Sequence, residues 1–167
     1  YKKGIIGYEQ VENKMLEIMQ HRGPDSGGIY KNNDDTVFLG NNRLAITDPF
    51  FKVEGPLTKN NHSYAICYNG EIYDYKEHLK KFISNGITFK SKTDTEVLLT
   101  GLINNGISFL SKVDGCWAFA FYNDKSKEII ISRDLLGEKH IFYYKNDKEF
   151  IFASEASAIA NIIDTNI

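Results

Sequence analysis

Four strand-like runs in the last third of the chain, Trp117 to Tyr122, Glu128 to Ser132, His140 to Tyr144 and Glu149 to Phe152, are joined by links of fewer than ten residues. Links that short cannot hold the helical crossovers that parallel strands require, so the runs must pair antiparallel. Turn formers fill the gaps, at Asn123-Asp124, Leu136-Gly137 and Asn146-Asp147. Trp117, Phe119 and Phe121 recur at every second position. That spacing puts them on one strand face and marks it as core, not as a platform for stacking bases.

The first two thirds carry both periods. Gly4 to Tyr8 reads as a first strand turning into a helix that bears Val11, Met15, Leu16 and Met19, which His21-Arg22-Gly23-Pro24-Asp25 stops. Strands are predicted at Gly28 to Tyr30, Thr36 to Leu39 and Leu44 to Thr47, the first two joined by a turn at Asn32-Asn33-Asp34-Asp35. Asp48 to Ser63, with Pro49, Gly55 and Pro56, is the longest irregular stretch and is placed to overhang a pocket. Tyr64 to Tyr68 reads as a strand ended by a tight turn at Asn69-Gly70. A helix from near Asp74 carries Tyr75, Leu79, Phe82 and Ile83, and a second, with Asp94 as its cap, carries Val97, Leu98 and Leu102. Glu155 to Ile163 reads as a final helix. Two sets of antiparallel strands around two central helices predict an α+β fold of sheets faced by helices.

A chain of 167 residues, 42% hydrophobic and 25% charged, suits one folded domain spanning 1–167. A net charge of -2 gives little field to gather nucleic acid or anionic lipid. No apolar run is long enough to span a bilayer, and the segment from Tyr1 to Gly7 is too short an apolar stretch for a signal peptide, so a cytoplasmic address is expected. Cys67 and Cys116 sit among apolar and aromatic neighbours and read as buried thiols. His62, His78 and His140 show no metal-ligand spacing.

Some residues suit a carboxamide-cleaving site. A turn at Asn69-Gly70 can present a side-chain amide beside a backbone N–H, as an oxyanion hole requires. An arginine such as Arg43 can clamp a carboxylate, and an aspartate such as Asp94 can hold an ammonium group. Each has an ordinary reading as well: a surface arginine, a helix cap, a hairpin turn, and for His21 and Arg22 a loop held by hydrogen bonds.

At Gly4-Ile5-Ile6-Gly7, His21 to Ser26, Arg43 to Asp48, Asn69-Gly70-Glu71-Ile72-Tyr73, Asp94-Thr95-Glu96, Phe119-Ala120-Phe121, Arg133-Asp134 with Gly137 and Lys139, and Phe152-Ala153-Ser154-Glu155, the chain resembles the glutaminase domain of asparagine-synthetase-type, N-terminal-nucleophile amidotransferases. The resemblance implies a four-layer αββα sandwich with its site at the edge of the central sheets. It implies that Asn69 and the Gly70 N–H form the oxyanion hole, that Arg43 holds the glutamine α-carboxylate, and that Asp94 holds the α-ammonium with the Gly70 carbonyl and Glu71 nearby. In the family a cysteine thiol attacks glutamine and its own α-amine is the base. Here Lys3 precedes Gly4-Ile5 where that cysteine belongs, and Tyr1-Lys2 precede it. A lysine that attacked would form an amide that water does not readily cleave. His140 replaces a usual proline and Gly55 a frequent glutamine before Pro56, both matters of loop shape.

The resemblance leads to the expectation of a preserved glutamine pocket without a nucleophile, unable to hydrolyse glutamine. The alternatives are an active glutaminase with an altered N-terminus that supplies ammonia to an ATP-dependent amide-forming synthetase, and a structural domain without ligand. Apart from Ser26-Gly27-Gly28, which begins inside the His21 to Ser26 segment, no Ser-Gly-Gly occurs in the chain, so the synthetase domain, whose nucleotide loop contains that sequence, is expected to be absent from it. No cofactor is expected here, and ATP and magnesium belong only to a separate synthetase domain or subunit. The expected partners are glutamine or glutamate and such a synthetase, without nucleic acid or membrane.

Overall fold

The computed structural model describes residues 8–43 and 55–163. The expected strand Leu44 to Thr47, most of the strand at Gly4 to Tyr8, Lys3, and the irregular stretch before Gly55 lie outside the described residues. Tyr8 itself opens helix α1 (Tyr8–Ile18), which passes through a short 3-10 turn, Gln20–Arg22, before Gly23-Pro24 ends helical structure. Strands β1 (Ser26–Lys31) and β2 (Phe38–Arg43) form an antiparallel hairpin. Strand β2 starts at Phe38 and not at Thr36, because the Asn32 side-chain oxygen accepts the N–H groups of Thr36 and Val37, each at 2.9 Å, and keeps both in the turn.

The central sheet is antiparallel, in the order β3 (Leu57–Lys59), β4 (Tyr64–Ile72), β5 (Gly115–Asn123), β6 (Glu128–Arg133). Strand β3 falls inside the stretch expected to be irregular; it is three residues long and gains its order from pairing with β4. A second hairpin joins β7 (Phe142–Lys145) and β8 (Phe150–Ala153). The remaining helices are α2 (Tyr75–Ser84), α3 (Asp94–Asn105) and α4 (Ala156–Ile163). Gly106 closes α3 at a φ of 62°, where a side chain would be strained, and its N–H returns to the Leu102 carbonyl.

Alternation along β4 and β5 sorts the two faces of the central sheet. Ile66 and Ile72 on β4, with Trp117, Phe119 and Phe121 on β5, pack against Phe82 of α2 and Val97, Leu98 and Leu102 of α3. The aromatic alternation is therefore core, as its spacing predicts. Ala65, Ala120 and Tyr122 point to the other face and meet Tyr30 of β1 and Leu39 of β2, with Phe152 of β8 packed against the same group. Small residues on that face let the strand pairs approach closely. Helices α1 and α4 touch each other, α1 lying on β1 and β2 and α4 on β7 and β8. The order from one side to the other is helices, sheet, strands, helices.

Candidate active site

Strand β4 does not turn at Asn69-Gly70. It continues through Ile72, with Asn69 opposite Ala118, Gly70 opposite Trp117 and Glu71 opposite Cys116. Glycine is required at position 70 by close approach: a Cβ there would stand 2.8 Å from the Trp117 Cα and press on the Cys116 carbonyl oxygen. Asn69 and Glu71 share the face of Cys67, toward the β1–β2 hairpin, and Ala118 opposite Asn69 leaves space beside the amide. Among the described residues, no group hydrogen-bonds the Asn69 amide or the Glu71 carboxylate.

Among the described residues the backbone of Gly70 is equally without a partner on one side. Trp117 gives its N–H to Asp134 Oδ2 at 3.2 Å and its carbonyl to the Asp134 N–H at 2.7 Å, both away from β4. Opposed residues of an antiparallel pair alternate between bonded and non-bonded, so Gly70 sits at a non-bonded pair and aims its N–H and carbonyl to the far side of β4. Strand β3 ends at Leu57, opposite Ile66, so no described strand reaches Gly70 on that side. The Ile72 N–H, pointing the same way, meets Asp94 Oδ2 at 3.2 Å.

Asp94 is buried as the first residue of α3. Its Oδ2 also accepts the Tyr68 hydroxyl at 2.9 Å, and its Oδ1 accepts the Thr95 N–H at 2.8 Å. Asp94 is not the helix cap expected from the sequence. Thr93 is, its hydroxyl accepting the Glu96 N–H at 3.3 Å, which frees the Asp94 carboxylate to face β4. Glu96, fully buried, fixes the segment before the helix: it accepts the Lys90 and Ser91 N–H groups and the Ser91 hydroxyl, and pairs with Lys59 of β3 at 3.1 Å. Burial alone would raise the Glu96 carboxyl, but these donors outweigh it and hold the group below its usual range.

Arg43 ends β2, where Ser26 pairs with it, Pro24 bridges to it, and its carbonyl accepts the Asp25 N–H at 3.2 Å. Gly23 permits this contact, since a Cβ there would collide with the backbone of Asn42 and Arg43. The segment from His21 to Ser26 thus serves to place Arg43. His21 holds a loop, as its ordinary reading has it, with ring nitrogens against the Ile18 carbonyl and Glu155. Arg22 joins it on Glu155 at 3.1 Å, and together they draw that carboxyl below its usual range.

Arg43, Asn69, Gly70, Glu71 and Asp94 all line one cleft of about 1430 Å³. The structure thereby brings together five of the six residues singled out from the sequence, and the sixth, Lys3, lies outside the described residues. The cleft offers donors from an amide and a backbone N–H, a guanidinium for a carboxylate, and carboxylates for an ammonium group. Cys67 lines it too, but burial pushes its thiol up to about 11, away from the reactive thiolate. Sequence reasoning missed Tyr68 and the Thr93 cap. The Thr93 to Glu96 spacing of a capping box signalled the second, and strand alternation from Asn69 could have pointed Tyr68 at the helices with a hydroxyl in need of a partner. Among the described residues no group of His, Cys, Asp or Glu could hold a metal ion, and no helix is long and apolar enough to cross a membrane.

Residues 4–167 match the family of the glutamine amidotransferase domain. The chain is 33% identical over 164 residues to the glutamine-hydrolysing asparagine synthetase 3 of Bacillus subtilis, covering 95% of this chain and 26% of that protein. It is 31% identical over 160 residues to the glutamine-hydrolysing asparagine synthetase B of Escherichia coli, covering 93% of this chain and 28% of that protein. The chain thus spans about a quarter of the length of these relatives. The structure of the glutamine phosphoribosylpyrophosphate amidotransferase of B. subtilis aligns with a TM-score of 0.70 at 19% identity, over 93% of this chain and 41% of that one. That likeness shows the α+β, αββα sandwich fold of N-terminal-nucleophile amidotransferases.

Proposed function

Because the chain belongs to the glutamine amidotransferase domain family, related to the asparagine synthetases, we propose that it is the glutaminase domain of an ATP-dependent amide-forming synthetase, with its pocket at the open edge of β4. The observation that carries this reading is the convergence of Arg43, Asn69, Gly70, Glu71 and Asp94 on one cleft, with no partner among the described residues for the Asn69 amide or for the Gly70 backbone on the side it presents. In this reading Arg43 takes the α-carboxylate of glutamine, and Asp94, the Gly70 carbonyl and Glu71 take the α-ammonium. The side-chain carbonyl lies against the Asn69 amide and the Gly70 N–H. The reading takes Tyr1-Lys2-Lys3 as an altered N-terminus: with the family's cysteine as first residue in place of Lys3, its thiol adds to the carboxamide carbon, and the two donors stabilise the oxygen that becomes negative. Ammonia leaves with a proton carried by the nucleophile's α-amine, and water cleaves the thioester to glutamate. The ammonia then serves a synthetase domain or subunit that uses ATP.

Lys3 favours a second reading, since a side chain without a thiol precedes Gly4. In it the pocket binds glutamine and does not turn it over. Ammonia and glutamate release, measured for the chain as it stands and for a version beginning with Cys in place of Lys3 and lacking Tyr1 and Lys2, separates the two. Release only from the second supports a competent pocket that lacks its nucleophile in this chain. Release from both shows a working nucleophile other than the residue-3 thiol, and silence from both, with the protein folded and glutamine unbound, overturns the pocket itself.

A further inference from the structure

Tyr68 stands between two elements of the site without belonging to the motif residues of either. On β4 it alternates with Asn69, so its ring packs against the core on the helix side while the Asn69 amide faces the opposite way. Its hydroxyl crosses to the start of α3 and donates to Asp94 Oδ2 at 2.9 Å. An ionised carboxylate has about four acceptor directions on its two oxygens. On Asp94 three are used, two on Oδ2 by Tyr68 and the Ile72 N–H and one on Oδ1 by the Thr95 N–H. What remains is one direction on Oδ1 of a buried carboxylate that lines the cleft.

We propose that Tyr68 is a positioning residue for ammonium recognition: its hydroxyl locks Asp94 Oδ2 against β4 so that Oδ1 alone is offered to the α-ammonium of a bound amino acid. This inference rests on the glutamine reading of the cleft. The Ile72 and Thr95 N–H groups belong to two different elements, and Tyr68 is the only side chain among the described residues that bonds the carboxylate. Without the phenol the carboxylate keeps one backbone bond on each oxygen and gains freedom to rotate about its last torsion. Selectivity for a ligand that carries an α-ammonium over one that lacks it then depends on Tyr68 as well as on Asp94. Burial, and next the charge of Asp94, keep the phenol protonated as a donor across the working range of pH.

The test is calorimetric binding of L-glutamine and of 4-carbamoylbutanoate, which keeps the amide and the carboxylate and lacks the α-amine, to the parent chain, Tyr68→Phe and Asp94→Asn. Phenylalanine retains the ring packing, and thermal unfolding confirms that each variant is folded. The expected result is glutamine binding weakened about tenfold in Tyr68→Phe, with 4-carbamoylbutanoate binding unchanged, and a larger loss of the same selectivity in Asp94→Asn. Equal weakening of both ligands, or unchanged or tighter glutamine binding in Tyr68→Phe, overturns the role of Tyr68 while Asp94→Asn still reports on the pocket. If the parent does not distinguish the two ligands, or Asp94→Asn leaves the distinction intact, the assignment of Asp94 to the ammonium fails first and the role of Tyr68 fails with it.

Discussion

Single residues at this site do work that their neighbours in sequence do not reveal. Asn69-Gly70 has the composition of a hairpin turn, and the chain nevertheless continues straight through it, because Gly70 is needed where β4 crosses close to the backbone of β5. A tight turn and a tight crossing ask for the same residue, and local pattern does not tell them apart. Gly70→Ala is expected to cost about 1 to 3 kcal/mol in urea unfolding, since two of the three atoms its Cβ would meet, the Cys116 carbonyl oxygen and the Trp117 Cα, are backbone and cannot rotate away. Asp134 is a second case. It reads as a turn residue, but its buried carboxylate accepts the N–H groups of Trp117, Glu138 and Lys139 and ties the start of β5 to the turn after β6. Burial would raise its carboxyl; the backbone donors, Lys139 foremost, outweigh that and hold it at about 2. The folded value lies below the unfolded one, near ~3.9, so the stabilisation is whole at neutral pH and fades as pH falls from about 4 toward 2. Asp134→Asn should therefore be less stable than the parent at pH 7, and the gap between their urea midpoints should narrow across that interval.

Among the elements, α3 shows how a helix start becomes part of a site. The sequence gives its boundaries well, through an apolar stripe and the Asn105-Gly106 stop, and leaves the cap ambiguous because Thr93 and Asp94 are both good caps. Thr93 takes the role, and Asp94 is released to β4. Thr93→Ala is expected to cost about 1 kcal/mol. Glu96, one turn further on, is the heavier member. Its removal would strand Lys59 and the N–H groups of Lys90 and Ser91 in a buried setting, so Glu96→Ala should destabilise by about 3 to 5 kcal/mol by chemical denaturation. Such a cost is not legible from Thr93-Asp94-Thr95-Glu96 alone, because Lys59 comes from a strand that its irregular flanks conceal.

For the whole molecule, an α+β fold of antiparallel sheets faced by helices is legible in the short links between strands and the alternation of Trp117, Phe119 and Phe121 on β5, while the αββα order and the place of the site are what the family resemblance implies. The pairing order β3-β4-β5-β6 was not legible, since nothing local says which strand lies beside which. Resemblance along eight segments supplied most of the candidate site, and the geometry adds what those segments cannot: Gly70 without a paired strand beyond β3 among the described residues, and Gly23 as the reason that Arg43 stands where it does. The layers are also tied at the far end of the sheets, where Asn32 reaches the Tyr122 hydroxyl at 3.2 Å and Tyr122 donates to Asp124 at 3.1 Å. A glutamine pocket beside Gly70, where no described strand pairs with β4, is central to the proposed function. Its most direct test is a titration of the isotope-labelled protein with L-glutamine, followed by nuclear magnetic resonance at the Gly70 backbone amide and the Asn69 side-chain amide. Saturable shifts at both groups, absent with D-glutamine, are the predicted result; glutamine that leaves both unmoved while the protein stays folded would contradict a pocket at this site.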